Sequence, residues 1–485
     1  MKIHIVFRVL GLLSVIISLT MVFPLIWSII DGTPDTIAFL MSMTLGIGIG
    51  TILYLLGDRS REYAELNVRE AFAVVSLSWV MASIVGALPY YMGEYLPTFA
   101  DAFFEAMSGF STTGATVFTD IESNPRGILF WRSLTHWIGG MGIIVLSLAI
   151  LPFIGVGGMQ LFRAEVPGPT PEKLSPRIQQ TALMLWAVYV VISAAQTVVL
   201  MLCGLDLFDS LTHTFGTMAT GGFSPYNDSI AAFRSPLIEW VIILFMFLAG
   251  TNFVLHLLAL RGKPGSFWKD EEFRFYVKFT LLSIAVVTAF LLIKGHYGSF
   301  SDTFRNSAFQ VISIMTTTGY VTSDFNLWPQ ALRLLMLLLM FAGGCAGSTG
   351  GSMKQVRLMI LAKRVKVEIN RLLHPQQVLR VRFNKQVLSL DVISSVTAFY
   401  ILYMMFFVGF SLLIITITGL DLETGIASVA ATLGNIGPGL GGVGAVENYS
   451  FFNMPAKLIL SFCMLLGRLE LFSVVMLFVK GTWRS

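Results

Sequence analysis

The segment Thr112-Thr113-Gly114-Ala115 has three counterparts further along the chain, each a short run centred on a glycine: Thr220-Gly221-Gly222-Phe223, Thr317-Thr318-Gly319-Tyr320 and Asn435-Ile436-Gly437-Pro438. Thirteen residues before the four central glycines stand residue types that cap helix N-termini, namely Asp101, Asp209, Asn306 and Thr424. Fifteen residues before them stand the apolar Phe99, Leu207, Phe304 and Leu422. This common register predicts one unit, a short helix that ends in a glycine turn, built four times.

The register also chooses between neighbouring glycines. In the fourth segment either Gly434 or Gly437 could be the central glycine. Only Gly437 has both a cap-forming residue 13 positions before it and an apolar residue 15 positions before it. In the second segment the same test selects Gly222 over Gly221. We therefore take Gly222 and Gly437 as the equivalents of Gly114.

The composition indicates a protein that crosses a membrane many times. Hydrophobic residues make up 55% of the 485 residues and charged residues 12%, whereas a soluble protein carries about 25% charged residues. Apolar runs of about 20 residues span a bilayer as helices, and the sequence has about ten of them. These runs lie near residues 3–30, 36–57, 70–92, 127–156, 179–203, 236–260, 275–295, 328–362, 387–418 and 455–480.

The basic residues indicate the orientation in the membrane. If the amino terminus is cytoplasmic and each run crosses once, most of the 32 Lys and Arg residues fall on the cytoplasmic side, including the cluster from Lys363 to Lys385. The positive-inside rule therefore predicts that both termini are cytoplasmic. The basic clusters then need no nucleic acid as a partner, and they are either plain cytoplasmic loops or surfaces for a protein partner.

The predicted fold is an all-α polytopic membrane protein with an internal repeat. Residues 1–57 form a two-helix hairpin, and four pseudo-repeats of helix, re-entrant loop and helix follow at residues 70–157, 178–261, 274–364 and 386–481. Irregular backbone at membrane depth is tolerated only where protein or a water-filled cavity surrounds it, so four such loops imply one central pore. The C-terminal ends of the short helices carry partial negative charge, which favours a cation there.

The glycine segments have the chemistry of a filter made of backbone carbonyls. None of the four tetrapeptides contains Asp or Glu, so a ring of carboxylates is excluded at this place. Glycine allows the backbone dihedrals that turn successive carbonyls towards a pore. The predicted ion-contacting residues, called the filter residues below, are Thr112, Thr113, Gly114, Thr220, Gly221, Gly222, Thr317, Thr318, Gly319, Asn435, Ile436 and Gly437.

These segments resemble those of a known family. Ser111-Thr112-Thr113-Gly114-Ala115-Thr116 and Thr317-Thr318-Gly319-Tyr320, together with Gly343-Gly344-Cys345-Ala346-Gly347-Ser348-Thr349-Gly350-Gly351, are similar to segments of the Trk, Ktr and HKT superfamily of potassium transporters. The leading hairpin and the length look most like the membrane subunit of bacterial Trk systems. Gly221, Ile436 and Pro438 depart from a symmetric filter.

The resemblance carries several implications. It implies uptake of K⁺ across the bacterial inner membrane, with K⁺ as the transported ion at the filter residues and no cofactor in this chain. It also implies a homodimer in the lipid bilayer. Finally, it implies a cytoplasmic regulatory subunit of the TrkA type, which binds the nucleotide.

A glycine cluster interrupts the over-long run 328–362. Each glycine costs a helix about 1 kcal/mol relative to alanine, so the cluster should break the helix. The resemblance implies an intramembrane loop that blocks the pore from below the filter, while close packing of helices through small residues is the alternative. The predicted gate residues are Gly343, Gly344, Gly347, Ser348, Thr349, Gly350, Gly351 and Arg468.

Two charged residues in apolar surroundings are further candidates. Arg468 lies within the last apolar run, where a lone Arg is costly and should face a cavity or a partner. It could repel cations below the filter, hold the glycine loop through its carbonyls, or pair with a distant carboxylate. Glu105 lies on the first short helix and either supports the filter from behind or only packs there.

Three classes of function remain open at this point. The first is a potassium pore through which ions move down their electrochemical gradient. The second is a symporter that couples K⁺ to H⁺ or Na⁺, which calls for a titratable group in the path, and the filter residues include none. The third is a membrane enzyme, which we do not expect because the sequence has no phosphate-binding loop, metal-ligand pair or nucleophile elbow.

Overall fold

The structure, a computed structural model, describes residues 3–57, 68–142, 178–377 and 379–479. These residues are almost entirely helical, as predicted. Their one sheet is an antiparallel pair of two-residue strands, Arg382–Phe383 and Gln386–Val387. Between the helices lie four 3₁₀ turns, Ser229–Phe233, Phe325–Leu327, Gly441–Val443 and Met476–Phe478.

The N-terminal hairpin consists of the helices Ile3–Thr20, Val22–Asp31 and Asp35–Leu56. Small residues let its two arms approach closely. A Cβ on Gly11 would lie 2.5 Å from the carbonyl oxygen of Gly50, and Ser14 Oγ donates a 2.7 Å hydrogen bond to the carbonyl of Gly46. The contact is thus made by backbone and hydroxyl groups that bulky side chains would separate.

Four units follow, each with a long helix, a short helix and a return helix. The long helices are Val68–Met92, Ile178–Leu202, Glu271–Ile293 and Leu390–Thr418. The short helices 1 to 4 are Phe99–Phe110, Leu207–Met218, Phe300–Met315 and Leu422–Leu433. The return helices are Arg126–Gly140, Pro236–Ala249 with Phe253–Leu260, Gln330–Leu339 with Gln355–Leu373, and Met454–Arg468 with Phe472–Val475. A four-residue helix, Ser266–Lys269, connects units 2 and 3.

The helices agree with the membrane-spanning runs predicted from the sequence. Six described helices are long and apolar enough to cross a membrane, and two bent pairs bring the number to eight if each pair is one span. The return helices of units 2 and 4 are these pairs, bent by 100° and 116°. The predicted run 127–156 continues beyond residue 142, outside the described residues, and the run 328–362 is two helices separated by a loop. The chain is therefore a multi-pass membrane protein.

The predicted N-caps of the short helices are wrong by about one turn. The side chains that accept a hydrogen bond from a free backbone N–H are those of Thr98, Asp206, Ser299 and Asp421. A cap must precede the N–H groups that it satisfies. Three of the predicted residues instead occupy the third position inside their helices, where their own N–H groups are the ones that the cap satisfies. The fourth, Asn306, lies deeper because short helix 3 begins a full turn earlier. The predicted residues are Asp101, Asp209, Asn306 and Thr424.

Ion pairs fasten the short helix of one unit to the return helix of the unit before it. Asp101 of unit 1 binds Lys457 of unit 4 at 2.5 Å, and both side chains are less than a tenth exposed. Arg305 of unit 3 binds Glu239 of unit 2 at 2.7 Å. A third pair, between Glu423 and Arg333, joins units 4 and 3. Between units 2 and 1, the guanidinium of Arg126 lies 5.4 Å from the ring centroid of Phe208.

The buried pair between units 4 and 1 yields a stability prediction. Lys457→Met should lower the free energy of unfolding by about 3–5 kcal/mol, because it leaves the buried Asp101 carboxylate without its partner. The apparent unfolding temperature of the purified protein in detergent measures the effect. Adding Asp101→Asn should recover part of the loss, since no buried charge then remains.

The exposed pair Arg364 and Glu368, 3.4 Å apart on one helix, provides the control. Arg364→Met should change the stability by less than about 1 kcal/mol, as exposed pairs usually do. Equal effects of Lys457→Met and Arg364→Met would contradict the assigned role of the buried pair.

Candidate functional site

The four glycine segments share one unusual backbone conformation. The central glycines have φ of 82°, 79°, 81° and 92°, and the residues two positions earlier have φ of 56°, 53°, 62° and 54°. Left-handed residues thus alternate with a residue of negative φ, an arrangement that turns successive carbonyls to one side of the chain. The glycines are Gly114, Gly222, Gly319 and Gly437, and the earlier residues are Thr112, Thr220, Thr317 and Asn435.

The four central glycines form a closed ring. The Cα of each glycine lies against a carbonyl oxygen of the neighbouring unit. This oxygen belongs to the residue that precedes that unit's own central glycine. A Cβ on the Cα would lie 2.0 Å from the oxygen in three cases and 2.7 Å in the fourth. The glycine and oxygen pairs are Gly114 with Gly221, Gly222 with Thr318, Gly319 with Ile436, and Gly437 with Thr113. The last pair returns to unit 1, so the four units surround one axis.

The ring includes the two glycines that the sequence register selects. Gly222 and Gly437 carry the left-handed conformation, whereas Gly434 has φ of −81° and ends short helix 4. Gly221 contributes its carbonyl oxygen to the ring and not its Cα. The equivalence of the four segments is therefore visible in the backbone as well as in the sequence.

A cavity of about 130 Å³ opens on one side of the ring, and we call it the vestibule. Its lining includes all four ring glycines and the residues that follow them in each unit. Arg132 and Glu447 are the charged side chains of the lining. The hydroxyl of Tyr449, also in the lining, donates a 2.8 Å hydrogen bond to the carbonyl of Gly437 and so holds the fourth segment in place.

Unit 2 has Gly221 where units 1 and 3 have threonine, and a histidine explains the difference. The ring of His136 stacks on Phe223 with centroids 4.1 Å apart. A Cβ at position 221 would lie 2.3 Å from His136 Nδ1. The imidazole therefore occupies the space that a side chain at this position would need.

Unit 4 differs through Asn435, which stands where the other units have threonine. Its side-chain Nδ2 donates 2.9 Å hydrogen bonds to Thr113 Oγ1 of unit 1 and to the carbonyl of Met464. The amide thus joins the fourth segment to the first. Ile436 beside it is fully buried.

A loop packs against the other side of the ring. The predicted gate residues of unit 3 lie in the segment between the helices Gln330–Leu339 and Gln355–Leu373, and we call residues 343–354 the inner loop. The backbone N–H of Gly351 donates a 2.7 Å hydrogen bond to Thr317 Oγ1, and a Cβ on Gly351 would lie 2.6 Å from the carbonyl oxygen of Gly434. The predicted helix break is thus present, and its glycines also make close backbone contacts.

Arg468 joins the inner loop to the ring. Its Nη1 donates to Thr112 Oγ1 at 3.0 Å and to the carbonyl of Thr349 at 2.9 Å. Its Nη2 donates to the carbonyls of Gly139 and Gly140 at 2.5 and 3.0 Å. Arg468 thus bonds one carbonyl of the inner loop, and its other hydrogen bonds go to the filter residue Thr112 and to the end of the return helix of unit 1.

Sequence reasoning missed the carboxylate that holds both ends of the inner loop. Glu272 Oε1 accepts hydrogen bonds from the backbone N–H of Ala346 at 2.7 Å and of Val356 at 3.0 Å. Gln355 Nε2 adds a 2.8 Å bond to the carbonyl of Gly343. The only signal in the sequence is an acidic residue at the start of a long helix, and nothing there indicates a partner about 80 residues away.

Comparisons with known proteins agree with this architecture. The TrkH family, described as a cation transport protein, matches residues 38–483. The chain belongs to the TrkH family. The resemblance seen in the glycine segments is thereby confirmed.

Several relatives of this TrkH family member match along their whole length. The Trk system potassium uptake proteins TrkH of Salmonella typhimurium and of Escherichia coli are each 41% identical over 481 residues, which is 99% of either chain. The TrkH protein of Halomonas elongata is 39% identical over 489 residues. The crystal structure of the potassium transporter TrkH from Vibrio parahaemolyticus superposes with a TM-score of 0.89 at 36% identity and covers 100% of both chains.

The contact between Gly221 and His136 yields a prediction for this TrkH family member. Gly221→Ala should lower the free energy of unfolding by about 1–3 kcal/mol, because the added methyl group overpacks against the imidazole. Gly298→Ala is the control, since a Cβ there meets nothing within 4 Å. The apparent unfolding temperature in detergent measures both. Combining Gly221→Ala with His136→Ala should give less destabilisation than the sum of the two single changes, and strict additivity would count against the contact.

Proposed function

We propose that this chain takes up K⁺ through a filter of backbone carbonyls formed by the twelve filter residues. The closed ring is the main observation behind this proposal. In the ring, four glycines without a side chain allow four carbonyl oxygens to approach around one axis. Carbonyl oxygens replace the water around a dehydrating K⁺ ion in filters of this kind. Relatives over the full length of the chain are named potassium uptake proteins.

The surroundings of the ring support a cation at its centre. The four short helices end immediately before the filter residues, so the partial negative charge at each C-terminus lies next to the ring. The side chains of the filter residues are threonine, asparagine and isoleucine, which carry no formal charge. Binding therefore depends on dipoles, which are strong enough to attract K⁺ and weak enough to release it.

The uptake needs no coupled chemical step. A membrane potential contributes about 2.3 kcal/mol per elementary charge per 100 mV, so a negative interior drives K⁺ inward. We place the protein in a bacterial inner membrane with both termini cytoplasmic and the vestibule facing outward. The helix Gln355–Leu373, with Lys363, Arg364 and Lys366, then lies on the cytoplasmic side, in agreement with the positive-inside rule.

The inner loop and Arg468 form the gate in this proposal. The loop contacts the ring through Gly351, and Arg468 adds a positive charge on the path below it. The helix Gln355–Leu373 continues directly from the loop and is rich in basic residues. A regulatory subunit that binds this helix could therefore move the loop. The relatives are named as parts of Trk systems, and we propose a homodimer with a cytoplasmic nucleotide-binding subunit.

Ion flux into liposomes tests the proposed function. Purified protein should carry K⁺ and Rb⁺ faster than Na⁺, with a reversal potential that follows the K⁺ gradient alone. A reversal potential that shifts with pH or with Na⁺ at fixed K⁺ would favour the coupled symporter instead. Equal flux of all three ions, or none, would contradict the carbonyl filter.

Gly319→Ala tests the ring itself. A Cβ at this position would lie 2.0 Å from the carbonyl oxygen of Ile436, and φ of 81° strains any residue other than glycine. The ratio of K⁺ to Na⁺ flux should therefore fall towards one, or the flux should be lost. Gly298→Ala, in open space, should leave the ratio unchanged. A normal ratio in folded Gly319→Ala would remove the ring from the filter.

Deletion of residues 347–351 tests the gate. It removes the part of the inner loop that contacts Thr317 and Arg468, so the K⁺ flux without any partner subunit should rise. Gly298→Ala is the control because a Cβ there meets nothing within 4 Å and the residue lies outside both the filter and the inner loop. Unchanged or reduced flux in a folded deletion variant would show that the loop does not block the path.

A further inference from the structure

An arginine lines the vestibule through which the transported cation would pass. Arg132, on the return helix of unit 1, shares this cavity with the four ring glycines. Its side chain is 1% exposed, so water screens its charge poorly. A guanidinium without a neighbouring negative charge would repel K⁺ at this place. The arginine therefore needs both a role in the vestibule and a group that offsets its charge.

Arg132 ties two units together just above the ring. Its Nη2 donates a 3.1 Å hydrogen bond to Thr116 Oγ1, two residues after the ring glycine of unit 1. Its Nη1 donates a 3.1 Å hydrogen bond to the carbonyl of Ser224, two residues after the ring glycine of unit 2. The guanidinium also lies 4.2 Å from the ring centroid of Phe223. The planar fork of an arginine suits this double contact, which a lysine could not reproduce.

Glu105, on short helix 1, supplies the opposite charge. Its Oε1 accepts a 2.8 Å bond from Arg132 Nε, and both side chains are buried, at 0% and 1% exposure. Its carboxylate also accepts from Thr116 Oγ1 at 3.0 and 3.1 Å and from the backbone N–H of Val117 at 2.9 Å. The carboxylate therefore both supports the segment after the filter of unit 1 and faces the arginine.

The other three units lack this charge. The register that places Glu105 nine residues before Gly114 places His213, Gln310 and Ser428 in units 2 to 4. His213 Nε2 lies 3.1 Å from Ser224 Oγ, and Gln310 Nε2 donates to the carbonyl of Ser323 at 3.0 Å. Ser428 bonds only the carbonyl of Gly425 on its own helix. In units 2 and 3 the segment after the filter is thus held without a carboxylate, so the charge of Glu105 needs a separate explanation.

We propose that Glu105 neutralises Arg132, so that the arginine can join units 1 and 2 at the mouth of the filter without repelling the incoming K⁺ ion. Glu105 is then a positioning residue for the filter and also sets the electrostatic potential of the vestibule. The inference rests on the proposed function and deepens it. A purely structural pair would affect stability and flux alike, whereas a compensating charge affects chiefly the K⁺ concentration at half-maximal flux.

Glu105→Gln is the primary test. Glutamine keeps the size of the side chain and an acceptor for the Val117 N–H, and it removes only the charge. In liposomes at low ionic strength, the K⁺ concentration at half-maximal influx should rise about three- to tenfold, because the guanidinium of Arg132 then lacks its adjacent carboxylate and its positive potential lowers the local concentration of cations beside the ring.

Arg132→Gln separates charge from structure. If the pair acts through charge, Arg132→Gln should need no more K⁺ for half-maximal influx than the unmodified protein. The double variant Glu105→Gln with Arg132→Gln should have a half-maximal K⁺ concentration close to that of the unmodified protein. If the pair is only structural, both single variants shift the value upward and the double variant is no better. That second pattern would overturn the inference. If Glu105→Gln fails to fold, an upward shift in Arg132→Gln alone overturns it.

Ser428→Ala is the matched control at the same register position in unit 4, and we expect no change in half-maximal K⁺ concentration. The proposed function and the proposed role of Glu105 can fail separately. If the unmodified protein carries no K⁺, the proposed function fails. If it carries K⁺ and Glu105→Gln behaves like the unmodified protein, only the inference about Glu105 and Arg132 fails.

Discussion

The close contact between a glycine of one unit and a carbonyl oxygen of the next is the constraint on which the whole structure depends. At this separation only a hydrogen atom fits on the Cα, so each of the four positions must be glycine. The short helices support this contact, because each helix has a capped N-terminus and its C-terminus fixes the position of the glycine turn that follows it. Ion pairs such as Lys457 with Asp101 then fasten neighbouring units, so the ring is closed by the surrounding helices and not only by its own atoms.

The four units share a backbone but not their side chains. His136 fills the space beside Gly221, Asn435 links the fourth unit to the first, and Glu105 with Arg132 joins the first to the second. A chain that repeats a unit within itself can vary each quarter of the ring, which an assembly of four identical chains cannot do. Among the described residues, a loop as long as the inner loop interrupts the return helix of unit 3 alone, so the units also differ on that side of the ring.

Much of the fold follows from local sequence signals. The apolar runs predict the spans, the common register predicts four short helices with glycine turns, and the glycine cluster predicts the break in unit 3. Spacing from the glycine misplaces the N-caps of the short helices, because several positions near each N-terminus hold cap-forming residues. The spacing alone does not distinguish the cap from the third helical residue. The partners of Glu272 and the carbonyl of Ser224 that Arg132 contacts could not be predicted, because they lie 74 to 92 residues away in the chain and depend on how the helices pack. Arg468 could be predicted as a residue that needs a partner, but its partners could not be named.

In the proposed function, carbonyl oxygens of the four units bind a dehydrated K⁺ ion at the ring. Anomalous diffraction from crystals grown with Rb⁺ in place of K⁺ can locate this ion. We expect an anomalous peak on the axis, coordinated by the carbonyl oxygens of Thr113, Gly221, Thr318 and Ile436. A peak that lies only beside charged side chains away from this axis, or a ring without Rb⁺ at saturating concentration, would contradict it.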